Sequence, residues 1–126
     1  MGRKKGFKSI ILKNPPSIVA TASIVGPKEG QGPLNKYFDT ILSDNLYKEK
    51  SWEKAERKML VETVKMAIEN SKLPATEIEY FISGDLLNQI ISSSFAARKI
   101  GLPFLGLYGA CSAIAQGFGL GAILVD

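Results

Sequence analysis

The residues best placed for chemistry are Gly109-Ala110-Cys111-Ser112, which sit between an apolar run and a long apolar segment. If the first is a strand and the second a helix, Cys111 lies at the helix N-terminus. There the first amides have no intrahelical partner and the helix dipole favours negative charge. Both effects favour a thiolate, the form that attacks an acyl carbon. The same spacing suits a buried structural cysteine equally well. A second constellation is Ser83-Gly84-Asp85-Leu86-Leu87-Asn88-Gln89. Asp85 is the only acid between Glu79 and Asp126. It can cap the next helix by accepting from its first amides, or it can line a site, and one role does not exclude the other. Asn88 and Gln89 add neutral polar groups near the same place.

Two glycine-rich stretches carry no chemistry of their own. The loop over residues 26–33 holds Lys28 but lacks the GxxxxGK[ST] spacing of a phosphate-binding loop. Gly117, Gly119 and Gly121 fall inside the last helical segment, not at a strand-to-helix turn, so they form no dinucleotide fingerprint.

These groups must be positioned by an alternation of strands and helices. Residues 17–25 read as a buried strand between Pro15-Pro16 and Gly26-Pro27, and residues 37–46 as a short helix. Ser51 is a suitable N-cap for the clearest helix. Trp52, Ala55, Met59, Leu60, Val64, Ala67 and Ile68 recur at helical spacing as its core face. Glu53 and Arg57 form an i,i+4 pair, and Pro74 marks the far end. Residues 79–83 form a second strand. A helix opened by Asp85 runs to Ile100, where Gly101 and Pro103 stop it. Residues 104–108 form a third strand and residues 112–125 a helix that is apolar almost all round, as in the middle of a fold. The class is α/β with a largely parallel sheet, in which ligands sit beyond the carboxyl ends of strands. That rule selects Gly84-Asp85 and Gly109-Ala110-Cys111.

Composition narrows the chemistry. The chain of 126 residues contains no histidine and one cysteine, which removes the commonest general base and metal ligand and forbids an internal disulfide. A zinc site built from this chain alone is disfavoured on the same ground. The net charge is +4, but Arg3, Lys4, Lys5, Lys8 and Lys13 all fall within the first 13 residues. The remaining eleven basic residues nearly balance the twelve acidic ones. Residues 1–9 therefore read as a basic, flexible arm. Such an arm can meet nucleic acid or an anionic membrane, but with no accompanying recognition motif it reads as a solvated terminus. The N-terminal apolar run Ile10-Ile11-Leu12 is too short for a signal-peptide core, and the longest apolar stretch, Ala113 to Val125, is shorter than a transmembrane span.

Gly-Ala-Cys-Ser before an apolar helix resembles the nucleophile turn of thiolases and β-ketoacyl synthases. Further motifs are similar to one family, that of stage V sporulation protein AD. They are Gly26-Pro27-Lys28-Glu29, Gly32-Pro33-Leu34, Phe38-Asp39, Lys50-Ser51-Trp52-Glu53, Ala55-Glu56-Arg57, Gly84-Asp85-Leu86-Leu87-Asn88-Gln89 and Pro103-Phe104-Leu105. The resemblance implies a thiolase-like fold of two βαβαβ halves, with residues 10–126 as the N-terminal half (βαβαβα) and the second half absent. It implies a non-catalytic protein that binds dipicolinic acid, free or as its calcium chelate, for uptake into the developing spore. No other cofactor and no metal site are implied. Cys111 matches the nucleophile position and Asp85 an acidic position of the pocket, with Asn88 and Ser112 beside them as ligand-binding candidates. The implied partners are the missing half, a second copy in a homodimer and the stage V membrane proteins. The implied place is the cytoplasmic side of the forespore, peripheral to the spore inner membrane. The alternative is a fragment of an acyltransferase that uses Cys111.

Overall fold

The computed structural model describes residues 3–126. Ten elements follow one another. They are β1 (Arg3–Lys5), β2 (Ser9–Ile11), β3 (Ile24–Val25), α1 (Pro27–Gly30), β4 (Thr40–Ile41), α2 (Trp52–Ser71), β5 (Phe81–Ser83), α3 (Ile91–Ile100), β6 (Phe104–Gly106) and α4 (Ala113–Val125). The class is α/β, as the alternation predicts. The strands pair two by two: β1 with β2 antiparallel, β3 with β4 parallel, and β5 with β6 parallel. One continuous sheet was expected, and three short pairs are found.

The β5–α3–β6 unit carries the site. Phe81 lies opposite Phe104, Ile82 opposite Leu105, and Ser83 opposite Gly106. The ladder extends through Phe81 N–H to Pro103 O at 2.7 Å and Leu107 N–H to Ser83 O at 2.8 Å. The opposed rings of Phe81 and Phe104 stand 5.5 Å apart at 30°. Such a cross-strand pair adds to the ladder's stability. α3 makes the crossover and packs on both β6 and α2, while α4 lies against β5. The core residues of the two packed helices include Ala55 and Val61 on α2 and Ser92, Ser93, Ala96 and Ala97 on α3. Short side chains let two helix backbones approach closely.

α2 starts and stops as its sequence dictates. Ser51 Oγ accepts from Lys54 N–H at 3.3 Å. Lys72 closes the helix in the left-handed region (φ 58°) with its amide on Glu69 O. The core face differs from the expected stripe. Trp52 is 55% exposed, whereas Val61 is buried. Trp52 occupies the first helical position, where its side chain leans back beyond the helix end. Ala55 and Val61 point to different sides at 3.6 residues per turn, so α2 is covered from more than one direction. The Glu53–Arg57 pair does not form among the described residues. The Glu53 carboxyl instead turns to its own backbone amide and to the Ser51 hydroxyl, which hold it below the usual glutamate range.

Three further expectations are corrected. Residues 17–23 form no strand: only Ile24–Val25 pair, and Ile18 and Val19 are exposed. Only the segment's last residue meets a strand, with Ser23 O accepting from the Thr40 amide at 3.1 Å, and further back Asn70 Nδ2 donates to Thr21 O at 2.9 Å. Residues 37–46 are not a helix. Asp39 Oδ2 accepts from both the amide and the hydroxyl of Ser23 at 2.8 Å, which draws Thr40–Ile41 into β4. Beyond it, Asp44 Oδ1 accepts from the Leu46 and Lys48 amides and fixes a turn with Tyr47 and Lys48 at positive φ. Of the arm expected over residues 1–9, residues 1–2 lie outside the described residues, and residues 3–11 form the β1–β2 hairpin. α4 is not buried: Ile114 and Phe118 are 68% and 62% exposed, because β5 covers only one of its sides.

Two substitutions test the boundaries of α2. Ser51→Ala removes the cap and should cost about 1 kcal/mol. Lys72→Gly relieves the left-handed side chain and should stabilise by up to about 1 kcal/mol. Urea unfolding followed by circular dichroism reads both, as midpoint shifts of opposite sign.

Candidate functional site

Asp85 follows β5 after Gly84 and lies between the strand and the start of α3. The helix does not begin at Asp85, as expected, but six residues later. Gln89 and Ile90 have φ of 49° and 74°, and neither can continue a right-handed helix. A β-branched residue at positive φ is strained, so something must hold it there. Asp85 does so. Its Oδ1 accepts from the Ile90 amide at 3.0 Å, and its Oδ2 accepts from the Ser93 amide at 2.8 Å and the Ser93 hydroxyl at 2.7 Å. The capping role read from the sequence is therefore performed at a distance, across a five-residue turn. Burial alone would raise the Asp85 pKa. The bonds from Ser93, Ile90 and Asn88 outweigh it and hold the carboxyl below the usual aspartate value.

Two clefts open beyond the carboxyl ends of β5 and β6. The larger, of about 620 Å³, is walled by Ile82, Leu86, Ile114 and Phe118, with Ser83, Gly84, Ala110 and Cys111 at its polar end. The smaller, of about 250 Å³, is lined by Asp85, Gln89, Tyr108 and Gly109 among others. Leu86 and Ala110 line both and separate them. Gly84 is required at this junction: a Cβ there would stand 2.5 Å from Leu107 O and 3.1 Å from Ala113 Cβ.

Cys111 lies on a 3-10 turn (Ala110–Ser112) that leads into α4, and it is exposed. Ala110 before it has φ 45°, a second strained position beside the clefts. Ser112 does not line either cleft. Its hydroxyl donates to Gly109 O at 2.7 Å and accepts from Gln116 Nε2 at 3.0 Å, which ties the turn to the helix. Asn88 is exposed and also lies outside both clefts. Its backbone serves the turn, with its carbonyl accepting from the Ile91 amide at 3.1 Å. Of the four candidate residues, the structure thus brings Cys111 and Asp85 to adjoining clefts and leaves Asn88 and Ser112 as local supports.

Sequence reasoning missed two contributors. Ser93 supplies two of the bonds to Asp85, and its signal was a serine run, residues 92–94, at the start of an apolar helix. Glu56, on α2, accepts from the Leu86 amide at 3.3 Å across 30 residues of sequence, which no local pattern announces. The larger cleft presents no basic side chain and, apart from Cys111, no titratable one. Among the described residues, no three potential metal ligands come together. An apolar cleft of this size suits a flat aromatic or acyl group. A carboxylate bound in it would need amides, a cation or groups from elsewhere.

The Asp85 clamp has a pH signature. Its folded pKa is depressed, so its contribution is present above the unfolded aspartate range, about pH 4, and is lost as pH falls through the lower folded value. Asp85→Ala leaves the Ile90 and Ser93 donors without their partner. At roughly 1–3 kcal/mol for each buried group left unsatisfied, it should cost about 3 kcal/mol at neutral pH. The gap to wild type should narrow on acidification, as measured by urea unfolding across pH.

The stage V sporulation protein AD family model matches residues 6–126. Stage V sporulation protein AD of Bacillus subtilis (strain 168) is 33% identical over 121 residues, which cover 96% of this chain and 36% of that protein. The chain therefore spans about a third of the length of the curated relative it matches. The matched region takes in both clefts, the Asp85 clamp and the Cys111 turn, and with that coverage the chain belongs to the stage V sporulation protein AD family.

Proposed function

We propose that this chain is a sporulation protein that forms the N-terminal part of a thiolase-like binding fold, and that its cleft takes dipicolinic acid during calcium dipicolinate uptake into the developing spore. The observation that carries this reading is the family match over residues 6–126. The position of the clefts, beyond the carboxyl ends of two parallel strands, agrees with it. A pyridine ring would lie against Ile114 and Phe118. Its two carboxylates would be met by backbone amides, by calcium, or by groups from the rest of the relative's length. Asp85 would act by shaping the turn, since both its oxygens already accept bonds. Its charge would repel a bare dicarboxylate. The role on this reading is one of binding and not of catalysis, which the match to a sporulation family supports. Work beside stage V membrane proteins at the spore inner membrane belongs to the same reading. Among the described residues, no helix is long and apolar enough to cross a membrane.

Calorimetry tests it, with dipicolinate titrated with and without calcium into this chain joined to the remainder of the Bacillus subtilis relative. Asp85→Ala and Cys111→Ala should each weaken binding about tenfold, equivalent to roughly 1.4 kcal/mol. Unchanged affinity in both would remove the site assignment, and turnover of acyl-coenzyme A would favour the acyltransferase.

The exposed side of α4 gives a second expectation. Each large apolar side chain left in water forgoes roughly 1.5–3 kcal/mol relative to burial. The chain alone should associate through Ile114 and Phe118, and sedimentation equilibrium should show a dimer or larger species that Ile114→Glu with Phe118→Glu returns to monomer. A wild-type monomer would end this expectation.

A further inference from the structure

The β1–β2 hairpin stands apart from the clefts. All six of its strand residues are exposed. Arg3 lies opposite Ile11, Lys4 opposite Ile10, and Lys5 opposite Ser9, so each face carries at least one cation and one isoleucine. Gly6, at φ 63°, turns the chain, and Phe7 stands at the apex, 95% exposed between Lys5 and Lys8. Among the described residues, none of Arg3, Lys4, Lys5 and Lys8 is in an ion pair, and the first acid in the sequence is Glu29. The match to the family begins at residue 6, so Arg3–Lys5 lie outside it.

We infer that this hairpin is a docking element for an anionic lipid surface, with Phe7 entering the headgroup boundary and the four cations facing lipid phosphates. Three observations select a bilayer over other polyanions. The aromatic residue is single and sits on a projecting tip, whereas single-stranded nucleic acid is held on grooves that offer aromatic platforms in series. Ile10 and Ile11, each about half exposed, carry the apolar character down both faces of the ribbon behind the tip. The charge is uncompensated, and it is the anionic leaflet that attracts such clusters. Apolar insertion and charge attraction are the two terms by which peripheral elements hold to membranes. The inference does not depend on the ligand assigned to the clefts.

The test is sedimentation of the whole chain with vesicles of phosphatidylcholine containing roughly a third phosphatidylglycerol, against vesicles of phosphatidylcholine alone. Binding should need the anionic lipid and weaken with added salt. Replacing Arg3, Lys4 and Lys5 together by Ala should lower affinity roughly a hundredfold, at about fivefold per cation. Phe7→Ser should lower it roughly tenfold. With Trp52→Phe to remove the other indole, Phe7→Trp should shift its fluorescence to the blue on anionic vesicles. These substitutions fall on exposed side chains, so loss of fold does not confound them. Equal binding to neutral vesicles, or full binding by the triple variant, would assign any lipid affinity to the apolar face of α4 and overturn the inference. Tighter binding to a single-stranded oligonucleotide than to the anionic vesicles would overturn it as well.

Discussion

One carboxylate organises the functional end of this molecule. Asp85 stands two residues past the end of β5 and takes donors that include two from Ser93 and one from Ile90. Those bonds fix the turn over residues 86–90 in a conformation its own residues disfavour, with Gln89 and Ile90 at positive φ. The turn in turn places Leu86 between the two clefts, and Glu56 of α2 holds Leu86 from the other side. Without the clamp, α3 would lose its start, and the wall shared by both clefts would lose its reference point.

The clamp also shows how the clefts are laid out by backbone geometry. Strain is concentrated on either side of the clefts, at Ile90 and at Ala110, and the close pass of Leu107 O leaves room only for Gly84. Residues at such conformations persist where their surroundings over-determine them. The surroundings here do so through backbone geometry and a polar network, and the larger cleft itself is lined by apolar side chains with the Ser83 hydroxyl and the Cys111 thiol. That combination favours shape and contact over proton transfer.

Much of this was legible in the sequence, and the limits have physical causes. Ser51, Gly101 and Pro103 announced helix ends because capping is local, and the place of the two clefts followed from a topological rule that needs only strand order. Asp85 was legible as a cap, but the delayed start of α3 was not, since nothing in the run Leu87-Asn88-Gln89-Ile90 marks a positive φ. Trp52 was misjudged because periodicity gives direction and not coverage: its face is apolar, yet no element reaches it. Residues 17–25 carry the composition of a strand, but a strand exists only if a partner supplies hydrogen bonds, and only Ile24 and Val25 find one. Contacts between distant residues, such as Glu56 with Leu86 and Asn70 with Thr21, leave no local trace at all.

The unpaired segment has a consequence for how the chain must be handled as it is made. Residues 17–20 lie outside any helix or strand and carry two β-branched side chains, Ile18 and Val19, turned to solvent. A bare ribbon of this kind is a template on which another copy can lay down a strand. Pro15 and Pro16 immediately before it cannot donate amide hydrogens and so blunt one end of the template. The prolines thus act as gatekeepers that bias the segment against fibrillar stacking while it awaits a strand to pair with.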